Sequence, residues 1–272
     1  MYCAPMPQLI SIDEVRREED GRLAALKASS EKANRIAIYK QFLRDGWSSI
    51  RAAHREGAGG AEIAEWRSVL MDVLLSDVFR VLLEENCVVE KTGDEPPVTL
   101  VASGGYGRGR LCPGSDIDLQ FLLPKSSRQI DDCLKDFVNQ FSLLLFDLGL
   151  DVSYPVRSIK EACKFANKDH QTKTTLLDAR LVVGDSALFT SFEKQFFESC
   201  IRGHEKSYLG ERTRDIRKRH RKFGETIHLQ EPNVKEGCGG LRDYHNLLWV
   251  LWVLREDRAL GSLVEEGRLT PI

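Results

Sequence analysis

The sequence predicts a mixed α/β (α+β) chain, a small sheet core set between N- and C-terminal helical regions. Three observations predict it. Residues 98–102, Val98-Thr99-Leu100-Val101-Ala102, form an apolar, β-prone run that ends abruptly at small residues, as a strand entering a tight turn does. Residues 116–123 alternate polar with apolar as far as Gln120, the period of a half-buried strand. On both sides of this pair, apolar residues recur at helical spacing.

Taken in chain order, Ser11 with Glu14 forms a capping box that opens a charged helix, and a second helix runs to about His54. Gly57, Gly59 and Gly60 interrupt it. Ile63, Trp66, Leu70, Val73, Leu74 and Val78 then mark a helix that buries one face, as core packing and not as a cofactor box. Residues 92–97, Thr-Gly-Asp-Glu-Pro-Pro, are the clearest boundary, so an N-terminal helical region is expected over 1–93 and the sheet core over 94–185. Within the core, residues 131–148 read as a helix with Leu134, Val138, Phe141, Leu145 and Leu148 on one side and Gly149 as its stop. Asp151 begins a short alternation to Val156, and Ser158 with Glu161 caps a further helix. Residues 186–272 form a C-terminal helical region, with one helix over 241–254. There are no internal repeats.

The 272 residues carry a formal net charge of −2, which gives no global attraction to nucleic acid. A local basic patch, Arg212, Arg214, Arg217, Lys218, Arg219, Arg221 and Lys222, reads first as a solvated helix face and second as an attractor for triphosphate or RNA. Phe223 alone is a poor base-stacking platform. Seven cysteines, odd in number and without a Cys-x-x-Cys pair, together with no secretory signal, lead us to expect reduced thiols and a cytoplasmic protein. Cys112 and Cys238 fall near the site by motif position. The six histidines show no metal-ligand spacing, and the apolar run 247–254 is far short of the ~20 residues that span a bilayer.

The chemistry is concentrated between the two strands. Glycines at 104, 105, 107 and 109 remove Cβ obstruction, so backbone N–H groups can approach an anion closely, and Arg108 adds a charged fork. Asp116 and Asp118 share one strand face, and side chains two residues apart can converge on metal ions about 3.5–4 Å apart. Unpaired, these carboxylates repel, whereas Mg²⁺, or Mn²⁺ in its place, keeps both ionised and neutralises triphosphate charge. Other fingerprints fail on spacing. A dinucleotide-binding motif from Gly105 would need glycine where Arg110 stands, a Walker loop would need Gly-Lys-Ser/Thr, and an EF-hand from Asp116 would need glycine at Phe121.

Gly104-Gly105 followed by Ser115-Asp116-Ile117-Asp118 resembles the nucleotidyltransferase fold of the DNA polymerase β superfamily. Two further blocks narrow the resemblance: Leu176-Leu177-Asp178-Ala179-Arg180-Leu181-Val182-Val183-Gly184-Asp185 and Glu231-Pro232-Asn233-Val234-Lys235-Glu236-Gly237-Cys238-Gly239-Gly240-Leu241-Arg242-Asp243. Both are similar to motifs of the bacterial uridylyltransferases that modify the PII nitrogen-signalling protein. The resemblance implies transfer of UMP from UTP to a tyrosine of PII. It implies Asp116 and Asp118 as catalytic metal ligands, and Gly104, Gly105, Arg108 and Ser115 around the triphosphate. Asn233, Lys235 and Glu236 either close over the nucleotide or belong to a glycine-punctuated connector in which Asp243 favours the following helix start. A third carboxylate, usual in the superfamily, falls on Asp178 or Asp151. For Asp178 the bland alternative is a salt bridge with an arginine such as Arg180, and for Asp151 a solvated strand start. Arg110 stands where the family usually has glutamate. The hydrolase and sensor domains of the family have no counterpart in the sequence, so an excised, truncated or reduced relative is expected. UTP is favoured by resemblance alone among the nucleoside triphosphates. The alternatives are another acceptor, such as an RNA end, or a non-catalytic nucleotide-binding regulatory module.

Overall fold

The structure is a computed structural model that describes residues 11–29, 34–86, 98–126, 130–257 and 260–270. The boundary expected at 92–97, and Cys3 and Cys87, lie outside the described residues. The chain divides into two compact units, Met1–Ala162 with Asp178–Phe192, and Cys163–Leu177 with Glu193–Ile272. The architecture is mixed α/β and dominated by helices.

In the first unit α1 (Ile12–Ser29), α2 (Arg35–Arg55) and α3 (Gly60–Asn86) pack together. The Ser11–Glu14 capping box forms in both directions, with Ser11 N–H donating to Glu14 Oε2 at 2.9 Å and Glu14 N–H to Ser11 Oγ at 3.2 Å. The sheet has the order β3-β2-β1-β5, with β4 also on β2: β1 is Thr99–Ala102, β2 Ile117–Leu123, β3 Val152–Ser153, β4 Val156–Ser158 and β5 Arg180–Gly184. β1 pairs antiparallel with β2 and β5, whereas β3 and β4 pair parallel to β2. The alternation read from Asp151 is thus split in two. Pro155, which has no N–H to give a ladder, sits at the break, yet its carbonyl accepts from Phe121 N at 3.0 Å.

Side-chain alternation sorts the two faces of β2. Ile117, Leu119, Phe121 and Leu123 join the core with α3 and α5 (Asp132–Asp147), where Phe79, Phe121, Phe137 and Phe141 meet edge-on at centroid distances of 5.1 to 5.8 Å. Asp118 and Gln120 are left on the opposite face. Asp131 caps α5 by accepting from Leu134 N at 2.9 Å, and Gly149 ends it at φ +73°.

The second unit holds α7 (His170–Leu177), a π-helical stretch Phe197–Ile201, α9 (Glu205–Lys222), α10 (Leu241–Arg255) and α11 (Gly261–Glu265). Helices α6 (Ile159–Lys168) and α8 (Ser186–Phe196) start in the first unit and end in the second. The buried Arg212 ties α9 to its neighbours. Its Nε donates to His170 Nε2 at 2.6 Å, its Nη1 to Asn246 Oδ1 at 3.3 Å and its Nη2 to Asp215, while the guanidinium lies 5.7 Å from the Trp249 ring. Arg214, Arg217, Lys218, Arg221 and Lys222 are exposed, as a solvated face requires. Cys112, Cys163, Cys200 and Cys238 are free, but Cys133 is disulfide-bonded, which departs from the expectation of reduced thiols throughout. No described helix is long and apolar enough to cross a membrane.

Candidate functional site

The glycine turn is a short helix, α4 (Gly104–Gly107), inserted between β1 and the run into β2. Ser103 N–H donates to the Asp118 carbonyl at 2.9 Å, which sets the turn beside the second carboxylate of the Asp-x-Asp pair. Two glycines are required by space. A Cβ on Gly104, which sits at φ +57°, would lie 2.6 Å from Asp118 Oδ2, and one on Gly107 would lie 2.0 Å from the Asp178 carbonyl oxygen. The absent side chains are what let the turn close on Asp118 on one side and on the start of β5 on the other. Like any helix start, α4 leaves its first amides without helical acceptors.

A buried polar network fixes the turn. Asp72, buried on α3 one turn from the buried Ser68 and one from Ser76, accepts from Tyr106 Oη at 2.6 Å, from Arg180 through both Nη atoms at 2.9 and 3.0 Å, and from Arg16 at 2.7 Å. Arg180 also donates to the Tyr106 carbonyl at 3.3 Å and lies 5.3 Å from its ring. Burial first, and then the Asp72 charge, holds the Tyr106 hydroxyl well above the usual phenol range. Burial opposes the charge of Arg180, but the bonds to Asp72 prevail and hold its pKa above the ordinary value. Sequence reasoning passed over Asp72. Its signal was a lone acid within Val69-Leu70-Met71-Asp72-Val73-Leu74-Leu75.

Arg108 is bonded to Asp178, which is buried, so the partner of Asp178 is Arg108 and not Arg180. Arg110 reaches back to Glu65 of α3 at 2.5 Å. Asp116 is exposed immediately before β2 and Asp118 is half-buried on it. Asp151 precedes β3 and its carbonyl accepts from Ile117 N at 3.0 Å. With Ile117 opposite Val152 and Asp118 opposite Ser153 in the parallel ladder, Asp151 and Asp116 occupy the same row. Three carboxylates therefore stand at the starts of two adjacent parallel strands, and Ser115, exposed, precedes them. Gln120, two residues beyond Asp118, is 2% exposed and its Nε2 has no partner among the described residues.

In the second unit the 231–243 loop is held by its own residues. Asn233 Oδ1 accepts from the amides of Lys235 and Glu236 at 3.1 and 2.8 Å, and the Glu236 carboxylate accepts from Arg242 at 3.3 Å. Arg219 of α9 donates to the Glu236 carbonyl at 2.7 Å and to Asp243, which also accepts from Gly239 N at 2.8 Å and lies 3.0 Å from His220 Nε2. Although burial works against it, Asp243 is held below the usual carboxylate range by Arg219, the Gly239 amide and His220. Asn233 and Glu236 thus build the loop, and Lys235 is exposed on it.

This loop and the helices around it lie within a stretch with known counterparts. Residues 208–271 match the family model of GlnD PII-uridylyltransferase. The resemblance drawn from the motifs is therefore supported independently of the glycine turn, since the matched stretch begins in α9 and contains the 231–243 block. Over that stretch the chain is similar to the PII-uridylyltransferases.

Proposed function

We propose that the chain is a nucleotidyltransferase of the DNA polymerase β type, with its core over 94–185, that moves UMP from UTP to a tyrosine hydroxyl of a PII-type signalling protein. The observation that carries this reading is the glycine turn closed against Asp118, with Asp116 and Asp151 in one row at the starts of neighbouring strands. The similarity of residues 208–271 to GlnD PII-uridylyltransferase supports the choice of nucleotide and acceptor, and with it a cytoplasmic setting.

Among the described residues no three acidic, histidine or cysteine side chains converge as a metal cluster, but Asp116 just before β2 and Asp118 on it offer carboxylate oxygen alone, the donor chemistry that would hold a hard divalent cation. Mg²⁺, or Mn²⁺, would there neutralise triphosphate charge and polarise the α-phosphorus. The amides of Gly104 and Gly105 and the Ser115 hydroxyl hold the triphosphate. Arg108, fixed by Asp178, steadies the turn and adds positive charge beside it. In the second unit Lys235 offers a solvent-facing cation for phosphate, on a loop shaped by Asn233 and Glu236. Asp151 is the third carboxylate in preference to Asp178, because Asp178 is buried and engaged by Arg108. Asp151 takes the proton as the acceptor oxygen bonds to the α-phosphorus, the bond to the bridging oxygen breaks, and pyrophosphate leaves with that electron pair.

The test is incubation with Mg²⁺, each of the four labelled nucleoside triphosphates and PII, beside an Asp116→Ala/Asp118→Ala control. Label passing to PII from UTP, and lost in the control, is the expected result. Tight nucleotide binding with no transfer to PII or to RNA would overturn it in favour of a regulatory module.

A further inference from the structure

A cavity of about 1170 Å³ in the first unit opens beside the carboxylate row. Its lining includes Ser115, Asp116 and Asp151 together with residues of α2. Residues 41, 44, 48 and 51 of α2 follow helical spacing, so they present one stripe to the cavity. In that stripe Arg44 is exposed and donates to Gln41 Oε1 at 2.5 Å, and Arg51 is exposed; neither forms an ion pair with a carboxylate among the described residues. The rest of the lining mixes the apolar Trp47, Ile50, Ile63 and Met71 with Asp45, His54 and Arg67, whose guanidinium lies 4.2 Å from the Trp47 ring. Gly104, Gly105 and Asp118 are not in the lining.

We propose that this cavity receives the acceptor, as an acidic segment carrying a tyrosine, with Arg44 and Arg51 pairing its carboxylates. The assignment rests on the reading of Asp116 and Asp118 as the phosphoryl-transfer centre. In-line displacement brings the nucleophile in opposite the leaving group. Pyrophosphate leaves from the side of the glycine turn, so the hydroxyl enters from the side of Asp116 that faces away from it. The lining holds Asp116 and Asp151 and lacks Gly104 and Gly105, so the cavity is the approach to Asp116 away from the turn, with Ser115 at the border between the two and Asp151 in place to take the proton. An aromatic ring fits against Trp47, Ile50, Ile63 and Met71, and Arg44 and Arg51 on the α2 wall pair with acids flanking it. Asp116 and Asp151 repel a bare carboxylate, and Asp45 of the α2 wall is occupied as acceptor from Gln41 Nε2 at 2.7 Å, so the acidic flanks are met by Arg44 and Arg51.

The experiment uses the full chain and a fluorescein-labelled peptide with one tyrosine between glutamates, read by anisotropy, with Mg·UTP affinity measured in parallel. Arg44→Glu/Arg51→Glu should weaken peptide binding at least tenfold and leave Mg·UTP affinity within twofold. Ser48→Trp, which fills the cavity from its wall, should do the same, whereas Arg55→Glu, on α2 but outside the lining, should change neither. Peptide affinity should fall as salt rises. The proposal is overturned if both cavity variants bind the peptide normally, if a glutamine-flanked peptide binds as tightly, or if Mg·UTP affinity falls tenfold instead. A wild-type chain that binds the peptide through Arg44 and Arg51 but transfers no nucleotide would keep this assignment and sink the transferase reading. Transfer to PII that ignores the cavity variants would do the reverse.

Discussion

Replacing Asp72 by alanine tests whether the glycine turn is held from behind by a buried ionic network. Asp72 is 3% exposed and is the common acceptor for Tyr106, Arg180 and Arg16. Its loss leaves the buried Tyr106 hydroxyl unsatisfied, which costs about 1–3 kcal/mol. It also leaves Arg180 without its counter-charge. Breaking a buried pair costs about 3–5 kcal/mol, with the lower end apt because the Arg180 side chain keeps 32% of its exposure. Arg16, at 40%, returns to water with little penalty. The contributions share one acceptor and so do not add. The expected loss is therefore about 3–4 kcal/mol, near the upper end for a point mutation. Urea denaturation gives the magnitude, and hydrogen exchange at β1 and β5 amides assigns it to the first unit. The partner experiment is Tyr106→Phe. In the Asp72→Ala background the phenyl ring removes the donor that has lost its acceptor, so the double variant should be less destabilised than the sum of the singles by about 1 kcal/mol. A loss below about 1 kcal/mol for Asp72→Ala, or additivity within ~0.5 kcal/mol in the cycle, would refute the network as the support of the turn.

The two candidate third carboxylates should separate cleanly: Asp178→Asn destabilises the first unit by about 3 kcal/mol by breaking the ion pair of the buried Asp178 with the half-buried Arg108, whereas Asp151→Asn leaves stability within ~0.5 kcal/mol and lowers kcat, as paired melts and transfer assays will read. Gly107→Ala should cost about 1–3 kcal/mol or more by thermal melt, because its Cβ would press on the Asp178 and Ala102 carbonyl oxygens. His170 is held below its ordinary pKa by burial and then by Arg212, against the pull of Glu211 and Asp215. The unfolded chain, with an imidazole pKa of about 6.5, therefore binds the extra proton first. Stability of the second unit is then full above that pH, falls as pH drops towards the depressed folded value, and levels below it; His170→Gln should flatten the slope in a pH series of melts. Iodoacetamide followed by mass spectrometry should modify the exposed Cys112 well before the buried Cys163 and Cys200, and equal rates would contradict the burial pattern.

What the sequence discloses and what it hides have a common physical cause. Local rules are legible. The capping box at Ser11 and Glu14 forms as written, a second forms at Ser158 and Glu161 with Ser158 N–H donating to Glu161 Oε2 at 2.8 Å, and α5 starts and stops where its cap and Gly149 place it. Both strands around the turn are signalled by composition and period, and the pair of acids on one face follows from that period alone. The partners of charged residues are not legible, because they are chosen across 56 to 108 positions of sequence by the packing of α1, α3 and β5. Asp178 could be expected to take an arginine, yet the neighbour in sequence, Arg180, is claimed by Asp72, and Arg108 takes its place.

The same distinction runs through the candidate site. Gly104, Ser115, Asp116 and Asp118 stand out in the sequence because the proposed contacts with triphosphate and metal would demand particular residue types at short spacing. Asn233 and Glu236 stand out for the same reason, but the structure uses them to shape their own loop, since an Asx turn and an ion pair ask for the same residue types as ligand binding does. Asp72 carries no motif, and Arg180, although inside the 176–185 block, is not marked there as its partner, because the pair is made across 108 positions of sequence. Motif residues therefore mark where a ligand would be met, and the residues that give the turn its rigidity must be read from burial and hydrogen bonds. If that division is right, Asp72→Ala should weaken Mg·UTP binding through a loosened turn, and the conservative Asp72→Glu should restore part of both stability and affinity, while Asp118→Asn should abolish transfer with the melt unchanged. A melt that falls with Asp118→Asn as far as with Asp72→Ala would show that support and chemistry are not divided between the two residues.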